Sequence, residues 1–142
     1  MRIEVGDYVL EVDPIKTKNT YQSIKCGGAK TCGCTYCLNY LSVIQKAFPP
    51  PVLAFFSQAG IDIQKDAEVY EQGEILPGIR SYGGEYYLWG SVISEVKKEQ
   101  ILGKGFSFTF MQPTPLVQEQ FKKAGALCFM FNAELPWVLD NE

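Results

Sequence analysis

Four of the five cysteines in this 142-residue chain, Cys26, Cys32, Cys34 and Cys37, fall within twelve residues, and the chain has no histidine. The pattern C-x5-C-x-C-x2-C confines metal binding to thiolate ligands and leaves a nucleophile without its usual imidazole base. Four thiolates can close a tetrahedral zinc shell. Cys34-x2-Cys37 has the spacing of a zinc knuckle, where backbone amides also hydrogen-bond the sulfurs, and Cys26 and Cys32 complete the set. Ribbons and fingers bring two separated C-x2-C pairs, whereas these ligands share one short segment. The tight Cys32-x-Cys34 spacing leaves room for one of the two to be a bystander, and a three-cysteine site would then take a carboxylate, water or outside ligand. Zinc is the expected metal, because the spacing matches none of the ferredoxin runs that hold iron–sulfur clusters.

The same residues admit a thiol redox reading. Cys34 and Cys37 stand at a helix start, where amides stabilise a thiolate, and Lys25 and Lys30 would add to that effect if they fold nearby. A thioredoxin-like motif, however, follows a buried strand directly, and here a polar, glycine-containing segment precedes Cys34. The plain alternative is that the thiols pack without a ligand, as Cys128 does in the apolar run ALCFMF.

A second candidate site is the run Tyr82-Gly83-Gly84-Glu85-Tyr86-Tyr87. Tyr82, Tyr86 and Tyr87 beside two glycines could form a flat binding surface with Glu85 as polar anchor. The structural reading, a Gly-Gly hairpin turn with cross-strand aromatic pairs, is the stronger one. Asp62, Asp66 and Glu68 read as a solvated acidic connection, since the oxygen-ligand spacing of a calcium loop is missing. The absence of histidine removes Ser–His and Cys–His dyads, and no phosphate-cradling G-x4-G-K-[ST] occurs. No catalytic residue emerges.

The elements that must position these residues can be read from periodicity. Residues 2–13 alternate and turn at Gly6-Asp7, as a strand or hairpin does. Residues 16–33 are polar and read as a loop, long enough to require a tether such as a metal clip. Residues 36–48 and 52–59 form a helical hairpin around Pro49-Pro50-Pro51, with Gly60 as a left-handed cap. From Ala67 the pattern is β: residues 68–71 with Ile75, residues 78–81, residues 85–93, and the alternating Phe106, Phe108 and Phe110. Residues 113–125 read as a helix, 126–131 as a central strand, and Leu135-Pro136-Trp137-Val138 as an anchor sealing the chain end. The fold class is α+β, a mostly antiparallel sheet with a helical hairpin and a Cys-rich loop, built as a single domain over residues 1–142.

Composition narrows the function classes. Hydrophobic residues at 46% and charged residues at 20% suit a folded globular chain, and the net charge of -3 gives no drive toward nucleic acid or anionic membrane. No stretch reaches the ~18 apolar residues of a membrane span, and Glu4 and Asp7 interrupt any signal-peptide core. A cytoplasmic location is therefore expected, with reduced thiols and with protein as the partner class left open; oligomeric state is unspecified.

Cys34-x2-Cys37-x-Asn39-Tyr40, Tyr82-Gly83-Gly84-Glu85-Tyr86 and Leu135-Pro136-Trp137-Val138, with Phe48-Pro49, Gly60-Ile61-Asp62 and Glu68-Val69-Tyr70 between them, resemble an uncharacterised family of small bacterial proteins. The likeness runs from about Cys32 onward and implies a bacterial or phage origin. That family carries no assigned activity, so the resemblance transfers no catalytic role. The expectation is a non-catalytic binding or structural module with a Cys-ligated metal, set against a redox protein or sensor using Cys34 and Cys37.

Overall fold

Alternating burial in the first dozen residues folds into a hairpin, β1 (Arg2–Val5) against β2 (Tyr8–Val12), with Gly6 at φ +56° supplying the turn. The computed structural model describes residues 1–95 and 98–139. After β2 the chain enters a helix where a loop is expected. Asp13 caps α1 (Pro14–Ser23) by accepting from the Lys16 amide, and Pro14 sits in the first turn. The Asp-Pro pair that looks like a strand terminator is a helix start. Only Thr17 and Tyr21 of α1 are buried, a stripe too narrow to register as apolar periodicity. A further short helix, α2 (Gly28–Cys32), ends at left-handed Gly33. The helical hairpin follows as read, α3 (Thr35–Ala47) and α4 (Pro50–Ala59), with Gly60 at φ +84° closing α4.

The remaining strands are β3 (Glu68–Leu76), β4 (Ile79–Val92), β5 (Gln100–Ile101), β6 (Phe106–Met111) and β7 (Ala126–Pro136). Together the strands form a seven-stranded sheet in the order β1-β2-β4-β7-β6-β5, with β3 pairing the first half of β4. Every ladder is antiparallel, so the α+β class with its antiparallel sheet holds. Among the described residues, no helix is long and apolar enough to cross a membrane.

Two further expectations fail for physical reasons. Gly83-Gly84 is not a turn. Both glycines lie inside β4, where a Cβ on Gly83 would stand 2.5 Å from the Tyr70 ring and one on Gly84 2.7 Å from the Glu68 carbonyl. The turn is at Pro77-Gly78, with Gly78 at φ +78°. Residues 113–125 are not an α-helix but a strap with one 3-10 turn, Glu119–Phe121. Pro113 and Pro115 withhold amide donors, and the Thr114 hydroxyl is captured by the Glu85 carboxylate at 2.7 Å.

Strand β4 is buried without a break from Tyr82 to Trp89 because both sheet faces are covered. On one face α3 and α4 press Tyr40, Phe48, Phe55 and Phe56 against Tyr86, Phe129 and Phe131 in stacked, tilted and edge-to-face pairs. On the other, Tyr21 of α1 and Phe121 of the strap cover Tyr87 and Trp89, and the Tyr21 hydroxyl donates to the Tyr87 carbonyl at 2.6 Å.

Candidate metal centre

The cysteine segment folds around one left-handed glycine. Cys32 is the last residue of α2, Gly33 follows at φ +66°, and Cys34 is the N-cap of α3, its Sγ accepting from the Cys37 amide at 3.4 Å. This reversal faces the end of one helix toward the start of the next. The sulfurs of Cys32, Cys34 and Cys37 consequently all lie within 4.8 Å of one another. With Zn–S bonds of ~2.3 Å, tetrahedral thiolates stand about 3.8 Å apart, so small rotamer adjustments would let the three sulfurs share one ion. Cys26 is not in this trio. It is exposed, with its Sγ 3.3 Å from the Thr31 hydroxyl. All five cysteines are free thiols.

The three sulfurs are not equivalent. The Cys37 amide holds the exposed Cys34 thiol below the usual cysteine range, with further hydrogen bonds from Cys32, Cys37 and the Tyr36 amide acting in the same direction. Burial pushes the Cys37 thiol far up, and its neighbours Cys34 and Cys32 push it further. A cation among them would favour the thiolates of Cys34 and Cys37 by supplying the missing positive charge.

Two long-range clamps fix the head of α3. Asn39, fully buried, donates from Nδ2 to the Pro136 carbonyl at 3.0 Å and accepts from the Val138 amide at 2.8 Å. Its side chain thereby continues the ladder of β7. The Tyr82 hydroxyl donates to the Tyr36 carbonyl at 2.8 Å. Trp137 meets Tyr36 edge to face at 5.9 Å, and the Arg80 guanidinium lies 5.2 Å from each of the two rings while pairing with Glu71 and Glu74. Stretches more than forty residues apart therefore converge on the turn that carries Cys34 and Cys37.

The aromatic run is placed differently from a recognition surface. Tyr82, Glu85, Tyr86 and Tyr87 are all buried, Glu85 at 1% exposure and the tyrosines at 0%. Glu85 accepts from the Tyr87 hydroxyl at 2.8 Å and from Thr114, while the Tyr86 hydroxyl bonds Tyr40 and the Ile63 carbonyl. Facing inward, these side chains offer no flat surface to a partner; Tyr82 serves the cysteine turn instead. Cys128 is buried as read, its thiol pushed up to about 12 by burial.

Asp66 is also corrected. It is fully buried rather than solvated, its carboxylate accepting from the Ala29 amide at 3.1 Å, and burial pushes it up to about 6. The signal for it was Gly27-Gly28, where a Cβ would meet Asp66 or Ala67 at 2.7–2.8 Å, a close approach that reads in sequence as an ordinary turn.

Comparison of the chain with protein-family models, curated proteins and solved structures finds no match. The geometry of the cysteine turn therefore carries the functional reading.

Proposed function

We propose that this protein is a small, non-catalytic binding or structural module of a reducing, cytoplasmic compartment, whose cysteine turn holds one structural zinc ion. The observation that carries the reading is the convergence of the Cys32, Cys34 and Cys37 sulfurs within 4.8 Å at the α2–α3 turn. Three thiolates supply three corners of a tetrahedron, and Cys26, on the exposed segment before α2, closes the fourth on loading. The ion would tie α2 to α3, the role expected of a clip in a segment otherwise held by few apolar contacts. Tyr36, Leu38 and Val138 stay exposed around the turn, at 40%, 49% and 52%, which supports protein as the partner class.

A second reading rests on the asymmetry of the pair. An exposed Cys34 held low and a buried Cys37 held high match the attacking and resolving thiols of a redox couple. Metal content separates the two. Elemental analysis and native mass spectrometry of untagged protein, purified without chelator, should find one zinc per chain, with Cys32, Cys34 and Cys37 alkylated only after chelation. Metal-free protein that forms a Cys34–Cys37 disulfide on oxidation would overturn the zinc reading in favour of the redox one.

A further inference from the structure

The five residues of α2 are too few to hold a helix by themselves, yet Cys32 depends on their placement. Besides the burial of Ala29, what holds their first turn is one buried residue outside the cysteine segment. The Asp66 carbonyl accepts from the Gly28 amide at 2.9 Å, and its carboxylate accepts from the Ala29 amide at 3.1 and 3.4 Å. The first turn of α2 thus hangs on both the backbone and the side chain of Asp66. The approach is close enough that Gly27 and Gly28 have no room for a Cβ. Asp66 is itself anchored, because the next residue, Ala67, donates its amide to the Glu85 carbonyl of β4 at 2.9 Å. From above, Gln118 of the strap donates to the Lys65 and Asp66 carbonyls at 3.2 and 3.4 Å.

We propose that Asp66 is the positioning residue of the cysteine centre: by pinning the start of α2 to the central strand, it delivers Cys32 at the other end of α2 to Cys34 and Cys37. The inference rests on the metal reading given above. Asp66 touches no sulfur and takes no place in the shell. Its contribution is that Cys32 is already in position when the ion arrives, so little ordering remains to be done on binding. The other half of the centre, Cys34 and Cys37, is positioned independently by Asn39 and Tyr82 through α3. Loss of Asp66 should therefore detach Cys32 from the trio and leave Cys34 and Cys37 in place. A residue needed only for stability would leave the trio's affinity unchanged in the molecules that fold.

The test is zinc affinity by competition with a chromophoric chelator, together with the thiolate-to-metal charge-transfer band of the cobalt-substituted protein. Asp66→Ala should weaken zinc about 10- to 100-fold, the usual range for a residue orienting a ligand, and should reduce the cobalt band as one thiolate is lost. Asp66→Asn keeps a carbonyl oxygen for the Ala29 amide and should stay within about 3-fold of the parent. If the unaltered protein binds zinc and Asp66→Ala binds it equally well, the positioning role is overturned. If the unaltered protein binds no zinc at Cys32, Cys34 and Cys37, the metal reading itself fails. Should Asp66→Ala not fold, hydrogen exchange on the metal-free parent decides. Gly28 and Ala29 amides protected before metal is added support the role, and amides exchanging at the unstructured rate overturn it.

Discussion

Asn39 offers a sharp perturbation because its two polar ends do separate, measurable jobs. Replacing it by alanine strands the Val138 amide and the Pro136 carbonyl, which it now meets at 2.8 and 3.0 Å, and opens a small void at a fully buried position. Pro136 and Val138 themselves are exposed, so water can reach part of what is lost. Each bond is then worth its net value of ~1 kcal/mol rather than a full desolvation penalty, and Asn39→Ala should cost about 2 kcal/mol. For a chain of this length that is a fall in Tm of roughly 6–8 °C. Asn39→Asp is more informative. The introduced oxygen would face the Pro136 carbonyl where a donor stood, and the new carboxylate would be buried. Its folded pKa should therefore rise above the unfolded value near 3.9. The penalty would be complete above the raised folded pKa and would disappear as pH falls below about 4, where the protonated acid can donate to Pro136. Urea denaturation of parent, Asn39→Ala and Asn39→Asp at several pH values is the assay. An alanine variant within about 0.5 kcal/mol of the parent, or an aspartate variant whose deficit ignores pH, would refute the clamp.

Gly84→Ala should cost about 3 kcal/mol, because its Cβ would meet the Glu68 carbonyl at 2.7 Å and the Phe131 ring at 2.8 Å, whereas Gly78→Ala, strained only by φ +78° in open space, should cost about 1 kcal/mol; equal denaturation midpoints for the two would contradict the close-approach account. In metal-free protein, iodoacetamide should label Cys34 before the other exposed thiols, and Cys37 only after all of them, with the Cys34 rate rising at a lower pH than an ordinary thiol's. Peptide mapping that finds Cys37 labelled first would show that the α3 N-terminus does not act as inferred.

What was legible in the sequence were elements whose own residues carry the signal. The first hairpin, α3 and α4 with their proline junction and Gly60 cap, the Phe106–Phe108–Phe110 alternation and the apolar run of β7 all announce themselves through local period and punctuation. The trio was legible as a cluster, while the separation of Cys26 from Cys32, Cys34 and Cys37 was not, because it depends on the short helix α2 inserted between them. What escaped was decided at a distance. Residues 113–125 have a helix-like apolar pattern, but Glu85, distant in sequence, draws Thr114 down and straightens the segment into a strap. Gly83-Gly84 reads as a turn because a double glycine is a turn in isolation. Only the Tyr70 ring and the Glu68 carbonyl, brought by β3, show that the glycines make room for a neighbouring strand.

The same logic accounts for why the chemistry sits where it does. A helix long enough to stand by itself would gain little from an ion, but α2 is too short to stand alone and α3 begins at an exposed cap. The protein fixes both from behind, α2 through Asp66 and Ala67 to the Glu85 carbonyl, and α3 through Asn39 and Tyr82 to β7 and β4. Both anchors run to the central strand pair, β4 and β7. The buried run from Tyr82 to Glu85 is thus a common base for the two helix ends that carry Cys32 and Cys34. An ion bound there would close the last side of a frame whose other sides are side-chain and backbone hydrogen bonds, so its removal should loosen the α2–α3 turn and leave the sheet intact.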